Sequence, residues 1–194
     1  MASFLALWAV MMTAMMAPSV YPTVRLFAAV RTSRAAFGVR PAPVWAFVAG
    51  YLAVWTAFGL PVYLVLSAGP MGMFTSTWRG AALAIAGAYQ LSPWKGGCLA
   101  HCRSPLVFLT HTWRDGAAGA IVMGAHHGAY CVACCWGLML VLLALGAMNV
   151  GWMAAVAAFI FVEKVLPGGP TIGRILGTAM LLVGLAVGLG WFRF

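Results

Sequence analysis

A chain of 194 residues and 20.5 kDa that is 64% hydrophobic and only 7% charged departs from soluble domains, which sit near 45–50% apolar and about 25% charged. A water-soluble globular fold is excluded. Eleven Lys and Arg face two acids, Asp115 and Glu163, for a formal net charge of +9, which excludes a hydrolase built on paired carboxylates; the basic residues form no run suited to nucleic acid.

What remains is one integral membrane domain over residues 1–194, all-α, with the lipid bilayer as its solvent. A helix crosses the hydrocarbon with about 20 largely apolar residues, and six segments qualify in chain order: residues 2–20, 44–67, 74–91, 116–148, 150–166 and 171–191. The first has no basic residue ahead of its apolar run, so it reads as a retained helix and not a secretory signal; Pro18 and Pro22 are expected to kink or end it. The fourth is too long for one perpendicular span, at about 50 Å for a straight helix. Its Gly116, Gly119, Gly124 and Gly128 weaken a helix, so either a strongly tilted helix or a re-entrant part leading into the true span is expected.

Charge then assigns sides. Arg25, Arg31, Arg34 and Arg40 fall between the first two segments, Lys95, Arg103 and Arg114 between the third and fourth, and Lys164 and Arg174 between the last two. Placing these loops in the cytoplasm leaves only Arg79 and Arg193 outside, so the positive-inside rule predicts both termini on the outer side of a bacterial inner membrane. Tryptophans at 8, 45, 78, 94, 113, 152 and 191 lie near segment ends, as interfacial anchors do.

All five cysteines and all four histidines fall within residues 98–135. A thiol cluster facing the cytoplasm binds metal or does redox chemistry more often than it forms a structural disulfide framework. Cys98, His101 and Cys102 stand at i, i+3, i+4, and Cys131, Cys134 and Cys135 repeat the interval, so each triplet shares one helix face. His127 and Met123 extend the second face backward by one and two turns. Thiolates with an imidazole and a thioether suit Cu(I), whereas Zn(II) would accept the Cys and His subset. The geometry expected is two facing triplets, with Cys98 and Cys102 close to Cys131 and Cys135. A lone cysteine also packs as a small hydrophobe, but ionisable groups at membrane depth are costly and usually functional. His111 reads as a solvated loop residue, and His126 points off the proposed face.

Met11, Met12, Met15 and Met16 occupy an arc of roughly 140° on the first helix, together with Trp8. Thioethers bind Cu(I) in an oxidising exterior where cysteine would be lost to disulfides, so these methionines and Met123 form a candidate metal pathway; a Met stripe on its own is more often core filler, and only the partition of Met outside and Cys inside raises the pathway. Met71 and Met73 in an outer loop and Met148 and Met153 at an outer turn extend the pattern. Glu163 is the only acid inside an apolar span and needs a partner among Arg174, Lys95 and Arg103.

The stretches WAVMMTAMMAPS, YQLSPWKGGCLAHCRSPL, WRDGAAGA, MGAHHGAYCVACCWGLM, MNVGWM and EKVLPGG resemble a family of bacterial integral membrane proteins described as predicted metal-binding. The likeness runs through nearly the whole chain and departs at its start, where members often carry a further hydrophobic segment and a Met-rich outer loop. Residue by residue, the resemblance implies roles for Cys98, His101, Cys102, Arg103, His127, Tyr130, Cys131, Cys134, Cys135 and Trp136, and for Met12, Met15, Met16, Asn149, Glu163 and Lys164.

The leading expectation is therefore a membrane-embedded site for a soft metal, copper before zinc, serving transport, storage or delivery to a donor or acceptor protein, without catalysis. An ATP-driven pump is excluded by the missing GxxxxGK[ST] loop, and c-type haem attachment by Cys135 following the CxxC where a His would stand. A thiol-disulfide oxidoreductase using Cys131 and Cys134, resolved by Cys98 or Cys102, and a structural subunit of a membrane complex are the alternatives.

Overall fold

The computed structural model describes residues 1–36, 42–69, 75–146 and 149–191, and there the chain is all-α. Eight helices follow one another: α1 Ala2–Ala36, α2 Val44–Ala68, α3 Ser76–Leu91, α4 Pro93–Arg103, α5 Pro105–Thr112, α6 Gly116–Leu145, α7 Val150–Val165 and α8 Gly169–Gly188. Four of them, α1, α2, α6 and α8, are long and apolar enough to cross a membrane. The expected spans at 74–91 and 150–166 appear as helices of 16 residues each, about 24 Å long at 1.5 Å per residue. Arg40, Met71, Met73, Met148 and Arg193 lie outside the described residues.

The structure corrects two expectations and narrows a third. Of the two outcomes expected of Pro18 and Pro22, a kink or an end, they do not end the first helix, which is 35 residues long in all and carries Arg25, Arg31 and Arg34 on its last turns instead of in a loop. The region 93–112, expected as a loop, forms α4 and α5. Each begins at a Ser-Pro pair, and proline at the first helical position loses no hydrogen bond; Ser92 Oγ accepts from the Lys95 amide at 3.2 Å. The fourth apolar stretch is one continuous helix of 30 residues with no re-entrant break. It starts at Gly116, whose φ of +77° is a left-handed conformation that glycine adopts without strain.

The chain divides into two compact units, residues 1–64 with 99–132 and residues 65–98 with 133–194. In the first, Phe27, Phe47, Phe108, Leu109, Ala120 and Met123 form a buried core. Phe27 stacks on Phe47 at 4.8 Å and on Trp113 at 5.3 Å. Arg34 covers the Trp113 ring at 5.3 Å and reaches Asp115 at 3.6 Å, so one of the two acids closes the α5–α6 turn onto the end of α1. Gly124 and Gly128 do not loosen α6. A Cβ on Gly124 would overlap the Phe47 carbonyl oxygen, and one on Gly128 would lie 3.1 Å from that of Tyr51; small residues four apart let two apolar helices bring their backbones together. Trp8 is not an interfacial anchor: it is 4% exposed and its Nε1 donates to Trp55 O at 2.9 Å.

In the second unit α3 packs along α8 through another row of small residues. A Cβ on Gly80 would lie 2.6 Å from Gly188 N, and one on Gly87 2.5 Å from Leu181 N. Each seven-residue step repeats the contact, as close helix packing in apolar surroundings requires.

Candidate metal centre

In the first unit the α6 face that carries Met123, His127 and Cys131 is fully inward, at 1%, 3% and 1% exposure. The close α2–α6 crossing brings Tyr51 beside it, and the Tyr51 hydroxyl lies 3.0 Å from Cys131 Sγ. Aromatic rings wall His127: Phe108 at 5.2 Å, Tyr51 at 6.0 Å and Phe47 at 6.1 Å. Cys102 is buried near the end of α4. Its neighbour His101 is exposed and stacks on Tyr130 at 4.3 Å, nearly coplanar at 6°. Met123 lies in the aromatic core, and its Sδ accepts the Arg114 amide at 3.3 Å. Arg103, half-buried, ends α4.

Tyr51 escaped the sequence reading because a tyrosine inside an apolar span gives no periodic signal. A buried phenol needs a polar partner, and that requirement alone could have singled it out.

In the second unit Cys134 and Cys135 are buried, with sulfurs 3.4 Å apart. Cys98 is partly buried. Tyr89 donates its hydroxyl proton to Ala133 O at 2.5 Å, packs on Trp136 at 4.7 Å, and stands within electrostatic reach of Cys98, Cys134 and Cys135. One turn before Cys98, Lys95 is 2% exposed. Its Nζ lies 2.6 Å from Glu163 Oε1 and donates to Oε2 at 2.7 Å. Gln90 completes the group: its Nε2 donates to Glu163 Oε1 at 2.9 Å while its Oε1 accepts from Lys95 Nζ. Of the three partners foreseen for Glu163 the structure selects Lys95, which the charge count had placed in a loop. A Cβ on Gly173 would overlap Glu163 Oε1, so α8 needs glycine there for the carboxylate to fit. Lys164 is buried as well.

The methionines of α1 are interior, with Met12, Met15 and Met16 at 0%, 4% and 0% exposure; Met11 is half-buried. A cavity of about 200 Å³ between α1 and α2 is lined by Thr13, Tyr21, Phe47 and Tyr51 among others, and by no methionine. Among the described residues no three His, Cys, Asp or Glu side chains converge on one point. The soft donors are instead grouped as His127 with Cys131 on successive turns of α6 in one unit and as the Cys134–Cys135 pair in the other.

The model of the PpoB2 copper chaperone family matches residues 5–187, and the chain belongs to that family. Copper is accordingly the metal with which it is associated. No curated protein and no solved structure matches the chain.

Proposed function

We propose that this copper chaperone family member is a multi-pass membrane protein that holds Cu(I) as cargo on buried thiols and imidazole and passes it to an acceptor protein. The observation that carries the reading is burial of the soft donors on α6. His127, Cys131, Cys134 and Cys135 are each at most 3% exposed, on a helix apolar enough to lie in a bilayer. Thiolate and imidazole select Cu(I) over hard cations, and their burial keeps the ion from water and from competing thiols.

Because no three such side chains converge among the described residues, the donors are proposed to hold Cu(I) two at a time, drawn from His127, Cys131, His101 and Cys102 in the first unit and from Cys134, Cys135 and Cys98 in the second. Tyr51 is a positioning residue, because its hydroxyl meets Cys131 Sγ and orients the sulfur. The six-segment topology, with both termini outside and α4 and α5 on the cytoplasmic side, completes the proposal. Met11, Met12, Met15, Met16 and Met123 supply thioethers for a copper route.

Anaerobic Cu(I) competition titration of the detergent-purified protein tests it. Cys131→Ser and Cys135→Ser should each remove most of the affinity, since a hydroxyl is a hard, weak donor for a soft ion. Unchanged affinity in both variants overturns the proposal.

A further inference from the structure

Three of the four histidines, His101, His111 and His126, line one pocket of about 340 Å³ bounded by α4, α5 and α6. Ser104, Phe108 and Tyr130 also line it. All three histidines are exposed, and the Tyr130 ring lies against two of them, at 4.3 Å from His101 and 5.0 Å from His126. By sequence alone His111 is a solvated loop residue and His126 lies off the face of the soft donors.

The fourth histidine stands behind this pocket. The Phe108 ring is 5.8 Å from His126 and 5.2 Å from His127, so a single buried side chain touches both the exposed imidazole and the enclosed one. The same pairing recurs along the wall. His101 precedes buried Cys102, His126 precedes buried His127, and Tyr130 precedes buried Cys131. Consecutive helical residues are 100° apart, so a stripe facing the pocket and a stripe of soft donors facing inward run side by side.

We infer that this pocket is the port through which Cu(I) is exchanged, with His111 and His126 as transient ligands and Phe108 as the partition between them and His127. The inference rests on the copper-carrying function proposed above. Imidazole is a weaker soft donor than thiolate, so exposed imidazoles followed by buried imidazole and thiol set an ascending order of affinity along the route. The lining groups do not converge to trap an ion, in keeping with passage. Each hand-over replaces one copper–ligand bond by another, copper stays Cu(I), and the receiving cysteine gives its proton to the departing donor.

Stopped-flow transfer of Cu(I) from a chromophoric chelator to the full-length protein in detergent, with equilibrium affinity measured alongside, decides the matter. The His111→Leu, His126→Leu double variant should slow transfer on the order of tenfold at unchanged affinity, and Phe108→Leu, which thins the partition, should speed it. Unchanged rates in both variants overturn the port. A fall in equilibrium affinity in the histidine variant also overturns it, because the imidazoles would then be holding ligands. Retention of affinity in Cys131→Ser would instead count against the copper site behind the port.

Discussion

In the unit formed by residues 1–64 and 99–132, buried His127 and Cys131 are walled by the rings of Phe47, Tyr51 and Phe108. In the unit formed by residues 65–98 and 133–194, the carboxylate of Glu163, the ammonium of Lys95 and the amide of Gln90 close on one another. Both solve the same problem, burial of polar groups in an apolar chain, with different chemistry. A carboxylate and an ammonium carry full charge, and the cost of taking them from water is offset only by excellent mutual geometry. A thiol behaves as a small hydrophobe and costs far less to bury, and here the rings and the Tyr51 hydroxyl surround it. Hard charges here hold helices together, and the soft donors are the groups to which the proposed function assigns Cu(I).

The largest expected effect comes from opening the charged group. Glu163→Ala leaves the Lys95 ammonium buried without its counter-ion and should cost about 3–5 kcal/mol, read as a fall in the unfolding midpoint in detergent. Adding Lys95→Met should recover much of that loss; a double variant as unstable as the single one would mean that the pair is not what Glu163 supports.

Next in size is the α2–α6 crossing. Gly124→Val inserts side-chain atoms where the Phe47 carbonyl already sits, and overpacking of this kind costs about 1–3 kcal/mol. Because the crossing places Tyr51 beside Cys131, Cu(I) affinity should fall along with stability. A loss of stability with full affinity would separate the crossing from the site.

Tyr51→Phe removes one hydroxyl from a buried pair and should cost about 0.5–1.5 kcal/mol in stability, with a smaller loss of Cu(I) affinity than Cys131→Ser. Equal affinity losses in the two variants would make the phenol a ligand and not a support. The smallest change is expected in the Met12→Leu, Met16→Leu double variant, where apolarity and volume are kept. Folding and equilibrium affinity should persist while copper uptake into proteoliposomes slows; unchanged uptake would assign the stripe to packing.

Much of the framework was legible in the residues themselves. Composition is far more apolar than that of soluble domains, hydropathy marks the four helices long and apolar enough to cross a membrane, and the confinement of every Cys and His to residues 98–135 points to soft-metal chemistry. These are local or additive properties that folding does not alter. The Ser-Pro starts of α4 and α5 were also present in the sequence, yet two short helices without a sustained apolar period carry little hydropathy signal. The glycines of α6 were misread for a related reason: glycine lowers helix propensity in isolation, but beside another helix it permits the closest backbone approach.

By itself, then, the sequence determined the all-α class and the apolar helices, since residue type and spacing settle those, and left copper and zinc open until the family match decided for copper. Only the tertiary structure decided that Lys95 and not an arginine neutralises Glu163, that Gln90 and Gly173 complete that group, that Tyr51 meets Cys131, and that Phe108 stands between His126 and His127. Each of these joins helices brought together by crossings, and a crossing is fixed by which small residues let two backbones meet, a property of pairs of distant segments that no single stretch of chain contains.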